Sequence, residues 1–298
     1  MNHPNLSGIA WIVFAATAIS ASVTIASVAL QDGATTGTLL VLRFALLVGG
    51  LAIAAHVRRT ALSVPFRSGF AAFAIGVIFL AQTGGYLGAV AYIPIALAVL
   101  LLYTYPILTA LLRAALDRRR PQTHEVAALV IAFAGLAIAL NVSFAHLDLR
   151  GVALGLLAGS AAAVVLNASE RVLKSLTSAQ TSFYTSIGAG ITAVVLVLTV
   201  LDWSWPASER GWIALTASIG SFALFYPAMM AGIQQIGAVP TAILFNLEPP
   251  VTIVLAAWWL DQQLTGQQHL GAAMVLIAVL IAQWPLLKSL KTTRTQTE

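Results

Sequence analysis

Cysteine is absent from this sequence and charge is nearly so, with Asp, Glu, Lys and Arg together making up 8% of its 298 residues. The first absence excludes disulfides, thiolate chemistry and Cys-based metal sites. The second excludes a water-soluble globule, because soluble domains carry roughly 25% charged residues and this chain is instead 59% hydrophobic. Such a composition requires lipid against the outer surface. Histidine is scarce too: His3, His56, His124, His146 and His269 lie near the ends of apolar runs or in connectors, with no i, i+4 pair. That argues against a metal site, and nothing calls for a cofactor. The net charge of +5 would suit nucleic acid, but the basic residues sit in short connectors between apolar runs. There they report membrane orientation instead.

What the chain does have is long apolar runs. A helix needs roughly 20 apolar residues to cross a hydrocarbon core of about 30 Å. Ten such runs are read: 7–30, 35–57, 69–92, 94–116, 124–142, 150–170, 178–201, 211–235, 240–260 and 268–287. The first is too long for the apolar core of a signal peptide and lacks a basic leader, so it reads as a span. The connectors carry breakers such as Gln31-Asp32-Gly33 and Asp202-Trp203-Ser204-Trp205-Pro206. Pro94 and Pro240 each open a run, where a missing N–H costs little. Residues 291–298 read as a polar cytoplasmic tail.

Orientation follows from the distribution of Lys and Arg. With the N-terminus inside, twelve basic residues fall on the cytoplasmic side: Arg58, Arg59, Arg67, Arg113, Arg118, Arg119, Arg120, Arg171, Lys174, Lys288, Lys291 and Arg294. Only Arg150 and Arg210 fall outside, with Arg43 inside a span. Both termini are therefore expected in the cytoplasm, and the Trp-rich 202–206 segment at the outer interface.

The halves resemble each other. Pro106 precedes Asp117 by eleven residues, and Pro250 precedes Asp261 by the same interval, 144 residues further on. At that offset Ala98 meets Ala242, Leu100 meets Leu244 and Leu111 meets Leu255. Each half holds five spans, and an odd number forces the second copy to insert upside down. The reading is an all-α membrane protein of two inverted repeats, 1–145 and 146–290, an arrangement common among secondary transporters.

Tyr92-Ile-Pro-Ile-Ala, Tyr105-Pro106, Leu116-Asp117-Arg118 and Leu42-Arg43-Phe44 in the first half resemble the EamA repeat of the drug/metabolite transporter superfamily. So do Asn246-Leu-Glu-Pro-Pro-Val, Leu260-Asp261-Gln-Gln-Leu-Thr265 and Gly271 in the second. Asp117 and Asp261 stand where that family usually has Glu. Tyr103-Thr104-Tyr105-Pro106 is similar to the corresponding stretch of YddG-type exporters of aromatic amino acids. The resemblance implies a ten-helix exporter whose central cavity is lined mainly by spans three, four, eight and nine.

The mid-span residues point the same way. Pro106, Pro227, Pro249 and Pro250 interrupt helical hydrogen bonding at depths where irregular backbone survives only inside protein or beside a wet cavity. Around them lie Gln82, Tyr86, Tyr103, Tyr226, Met230 and Asn246, the candidate substrate-binding set. A continuous helix would place Tyr103 and Tyr105 about 200° apart, so one of them is expected to face the cavity, and Tyr103 is preferred. Interhelical hydrogen bonding is the bland alternative for the polar members.

Glu248 is the one acid well inside a span. It reads either as a proton-coupling group or as a structural acid bonded to backbone freed by the prolines. Arg43 is read as a snorkelling side chain or as a contact for a substrate carboxylate. Counting along the spans puts the two at depths roughly 12 Å apart.

An inner-membrane alternating-access exporter of small metabolites fits best, with amino acids of aromatic or large apolar side chain as cargo. Its expected partners are that small molecule and lipid, not nucleic acid; the oligomeric state is left open, a monomer being compatible. The alternatives are a carrier of nucleotide sugars or organic anions, and a channel or structural membrane protein. An intramembrane enzyme is disfavoured by the single deep acid and the lack of deep histidine.

Reporter fusions test the topology. Connectors 58–68, 117–123 and 171–177 should report from the cytoplasm and 202–210 from outside, and a periplasmic signal near Arg118–Arg120 would overturn the map.

Overall fold

The computed structural model describes residues 6–118, 120, 122–142, 148–259 and 265–282. These contain helices and connectors, with no strand among them. The helices are α1 (Leu6–Gln31), α2 (Thr36–Val57), α3 (Phe66–Val90), α4 (Ile95–Leu102), α5 (Tyr105–Asp117) and α6 (Thr123–Ala139) in the first half. The second half has α7 (Leu149–Val172), α8 (Ser178–Thr199), α9 (Glu209–Ile236), α10 (Ala238–Leu244), α11 (Glu248–Trp259) and α12 (Gly266–Ala282). Counting α4–α5 and α10–α11 as one segment each, eight described segments are long and apolar enough to cross a membrane. The remaining two, α6 and α12, are apolar but only 17 residues long. Asp261, Arg119, His3, His146 and the 291–298 tail lie outside the described residues.

The helices are arranged inside-out relative to a soluble protein. Val13, Phe14, Ile53, Phe70, Leu198 and Leu224 are exposed, whereas Ser20, Ser22, Thr38, Thr109, Thr185, Ser218 and Thr241 are fully buried. Without a hydrophobic drive between helices in lipid, association depends on close packing and on hydrogen bonds across the seams. Small residues supply the closeness.

α1 runs along α9, α3 along α7, α2 along α8 and α6 along α12. At Gly8 a Cβ would stand 2.5 Å from Ile236 Cγ2, and at Gly151 one would stand 2.7 Å from Ile93 Cγ2. Neither site has room for a larger residue. Gly135 of α6 and Gly271 of α12 press on one another's carbonyl oxygens in the same way.

Polar contacts close both ends of the bundle. At one end the Thr35 and Thr38 hydroxyls donate to the carbonyls of Asp202 and Ser204 at 2.8 and 2.7 Å. There Trp205 packs on Trp203 and Trp212, with ring centroids 5.1 and 5.2 Å away. At the other end Arg113 of α5 bridges Asp117 at 2.7 Å and Glu170 of α7 at 2.9 Å. The second Glu170 oxygen accepts the Ala238 N–H at 2.8 Å, where α10 begins after the left-handed turn at Gly237.

One carboxylate thus ties α5, α7 and α10 together, and composition alone gave no sign of it. Replacing Glu170 by Ala should cost about 1.5–3 kcal/mol, the worth of hydrogen bonds to a charged group. Thermal unfolding in detergent would read this as a lowered midpoint, and an unchanged midpoint would show that the bridge carries no stability.

Candidate functional site

The site begins with two interrupted helices. Pro106 has no N–H to offer the Leu102 carbonyl, and α4 ends there; Tyr103 and Thr104 form the junction before α5 starts at Tyr105. Thr104 Oγ1 turns back to donate to the Leu101 carbonyl at 2.7 Å. In the second half Pro249 and Pro250 likewise leave the Phe245 and Asn246 carbonyls without helical donors. The segment responds with a 3-10 turn, Phe245–Leu247, between α10 and α11. Proline does not always break a span. α9 continues through Pro227 over its 28 residues, because one lost bond is outweighed by the packing of its neighbours. Pro227 is therefore not a helix break.

Each interruption is covered by a helix from the other half. α7 lies against the first, where a Cβ on Gly159 would stand 2.5 Å from Thr104 Oγ1 and 2.9 Å from the Leu101 oxygen. α1 lies against the second, where the Ser20 hydroxyl reaches the Glu248 carbonyl at 3.0 Å.

Between them is a cavity of about 220 Å³. Gln82, Tyr103, Tyr105 and Glu248 form its polar lining. Phe79, Phe225, Met229 and Phe245 are the bulk of its apolar wall, and α1 and α7 complete it through Ile19, Val23, Ala162, Val165 and Leu166. Tyr103 and Glu248, one from each interruption, face the same space. Both tyrosines face the cavity, their ring centroids 5.6 Å apart. That corrects the expectation that only one could, which extrapolated 100° per residue through a junction where the α-helix has stopped.

Other expected residues lie elsewhere. Tyr226 and Met230 are fully buried in the main core. Tyr226 packs edge-on against Phe44, Phe79 and Phe225, with centroids 5.7–6.5 Å away. Asn246 turns its amide back to the carbonyls of Ala242 and Ile243 at 3.4 and 3.1 Å. Tyr86 packs towards Ala89, Ile93 and Leu97.

Arg43 does not snorkel. Its Nη2 donates to the hydroxyls of Ser22 at 2.9 Å and Ser218 at 3.0 Å, in the seam between α1 and α9. Nor is it far in depth from Glu248. Both are held by α1, Arg43 at Ser22 and the Glu248 backbone at Ser20, an axial rise of about 3 Å. Counting along a single span had ignored helix tilt and the length of the arginine side chain.

The contribution of α1 and α7 was missed. Its sequence signal is the run of small residues Ala158-Gly159-Ser160-Ala161-Ala162-Ala163, which permits contact with exposed carbonyls. These placements separate two kinds of tyrosine. Tyr226→Ala should lower stability by about 3–5 kcal/mol, as for other large-to-small core changes. Tyr103→Ala should lower the unfolding midpoint distinctly less, because its buried ring borders the cavity instead of being packed on all sides. Equal midpoints for the two variants would contradict the assignment of one to the core and the other to the cavity.

Comparison with known proteins agrees with this architecture. Residues 149–284 match the EamA-like transporter family. An uncharacterized transporter of Synechocystis sp. is 28% identical over 208 residues, covering 66% of this chain and 61% of that protein. The threonine/homoserine exporter RhtA of Salmonella typhimurium is 27% identical over 188 residues, or 62% of this chain and 61% of its own length. The matched region thus spans about three fifths of these relatives. A protein solved by crystallography superposes on 92% of this chain and 97% of its own, with a TM-score of 0.76 and 20% identity. Its likeness concerns the fold. The second half of this multi-pass membrane chain thus carries the match to the EamA-like transporter family, and the relatives it resembles are named as transporters.

Proposed function

We propose that this protein is an inner-membrane carrier that exports amino acids, chiefly those with aromatic or large apolar side chains, by alternating access. The observation that carries the reading is the cavity where two interrupted helices meet, apolar-walled but holding Glu248, Tyr103 and Gln82. Its volume of about 220 Å³ falls below the roughly 300–1,000 Å³ of drug-sized sites, which suits a single small metabolite. Glu248 is the anionic partner for a cargo ammonium group, and Tyr103 orients it. The rings of Phe79, Phe225 and Phe245 favour an apolar side chain. RhtA, which exports threonine and homoserine, supports amino acids as the class and gives small hydroxy amino acids as the second reading.

Ten crossings are part of the proposal. α6 and α12 would rise about 25 Å, close to the hydrocarbon thickness of about 30 Å. The helix pairing also supports two inverted halves, and the Lys/Arg bias supports cytoplasmic termini. α1 with α9 corresponds to α7 with α3, while α2–α8 and α6–α12 map onto themselves. The interruption at Tyr103–Thr104 likewise corresponds to the one at Phe245–Leu247.

Uptake of labelled amino acids into proteoliposomes tests the function. Aromatic and large aliphatic substrates should compete best, and Tyr103→Ala should weaken transport several-fold, since one aromatic contact is worth about 0.5–1.5 kcal/mol beyond its area. Preference for threonine would favour the second reading, and no saturable uptake of any amino acid would reject both. Glu248→Gln should abolish uptake driven by a proton gradient while weakening counterflow without abolishing it. Full driven activity in that variant would remove Glu248 from coupling and leave facilitated diffusion.

A further inference from the structure

We propose that Arg43, held by Ser22 and Ser218, forms a carboxylate-binding subsite that reads the acid group of the cargo at the Trp-rich end of the cavity. The inference rests on the amino-acid carrier reading and specifies chemistry that the cargo must carry. A guanidinium within an apolar span needs an anion or extensive hydrogen bonding to offset its desolvation. Arg43 has neither in full. Among the described residues no carboxylate lies at ion-pair distance, and Nε is buried with no acceptor.

Its two protein acceptors are neutral and already committed. The Ser22 hydroxyl donates to the Ser218 carbonyl at 2.8 Å, and the Ser218 hydroxyl donates to the Ser22 carbonyl at 2.8 Å. This reciprocal lock turns both serine oxygens towards the arginine, orienting it without neutralising it. Phe222 supports the cation with its ring face, 5.1 Å from Cζ. The guanidinium is thus fixed in place with donors to spare. Its planar fork matches a carboxylate in bidentate geometry, as an ammonium could not.

The arginine lies behind the cavity wall, outside its lining but next to residues that form it. Ser22 precedes Val23, and Phe222 packs 5.4 Å from Phe225, with Val23 and Phe225 both in the cavity wall. Arg43 and the Glu248 backbone are anchored to α1 two residues apart. An anionic group in the cavity and a cationic group behind its wall thus stand at similar depth, a polarity that an α-amino acid matches with its ammonium and carboxylate once the wall yields to it.

The experiment compares proteoliposome uptake of L-phenylalanine with L-phenylalaninamide, and of L-threonine with L-threoninamide, for wild type, Arg43→Gln and Arg43→Lys. Each amide keeps the ammonium and side chain but loses the negative charge. Wild type should prefer the acid of the transported pair by about 10–100-fold, the worth of a hydrogen-bonded charge. Arg43→Gln should lose that preference while still moving the amide, and Arg43→Lys should retain part of it. A merely structural arginine would lower acid and amide uptake alike, which would overturn the proposal. Equal uptake of acid and amide by wild type, a result independent of any variant's folding, would overturn it while leaving the carrier reading intact. Uptake that requires chloride and ignores the acid-to-amide change would assign the subsite to an inorganic anion and also overturn it. Uptake of neither acid would reject the carrier reading and the subsite with it.

Discussion

A backbone carbonyl that loses its helical partner within a bilayer cannot turn to water, and the architecture of this protein depends on that constraint. Pro106 and the Pro249-Pro250 pair each create such carbonyls. At the first interruption Thr104 ties back to the neighbouring Leu101 carbonyl and α7 covers the junction, which only a glycine at 159 lets come close enough. At the second the 3-10 turn brings the Glu248 N–H to the Phe245 carbonyl, and Ser20 of α1 braces the Glu248 carbonyl beside it. Each half thus depends on a helix of the other to shelter its weak point. The space left between the two sheltered junctions is the cavity.

The chemistry of that space follows from its neighbours. Phe79 and Phe225 separate it from the buried Tyr226 core and give the wall rigid apolar faces. Glu248 opens α11 where the 3-10 turn ends, so its carboxyl is set by the same irregularity that makes the cavity. Tyr103, from the opposite junction, lines the same cavity. The two interruptions therefore supply polar groups to one space.

Hydropathy carried most of the fold, because the cost of exposing polar backbone to lipid dictates runs of fixed length. The run 35–57 and α2 (Thr36–Val57) differ by a single residue, and 7–30 lies within α1 (Leu6–Gln31). Prolines marked the junctions of spans four and nine because their missing N–H is a local property, readable without a partner. Pro227 shows the limit of that logic, since whether a lost bond breaks a helix depends on the packing around it. Tyr103 and Tyr105 were read through a helical wheel that the junction invalidates. Tyr226 was assigned by its hydroxyl, whereas its position is decided by its ring, which sits among Phe44, Phe79, Phe222 and Phe225. The walls from α1 and α7 went unseen because small residues leave no signature except the closeness they allow. Glu170 and Arg113, near the ends of their apolar runs, gave no sign of their pairing, which is set by the turn at Gly237 that brings the Ala238 N–H to Glu170.

The locked serines of α1 and α9 also bear on the order of synthesis. Ser22 and Ser218 are 196 residues apart, so at about 5–20 residues per second the ribosome needs roughly 10–40 s to deliver the second after the first. Throughout that interval α1 resides in the bilayer with the face bearing Gly8, Ser20 and Ser22 unmatched by its final partners. The hydroxyls can fall back on their own helix, as Ser20 still does with the Ala16 carbonyl at 2.8 Å. α1, made well before α9, is thus among the last helices to be completed, and the bilayer must hold it in waiting until the second half of the chain arrives.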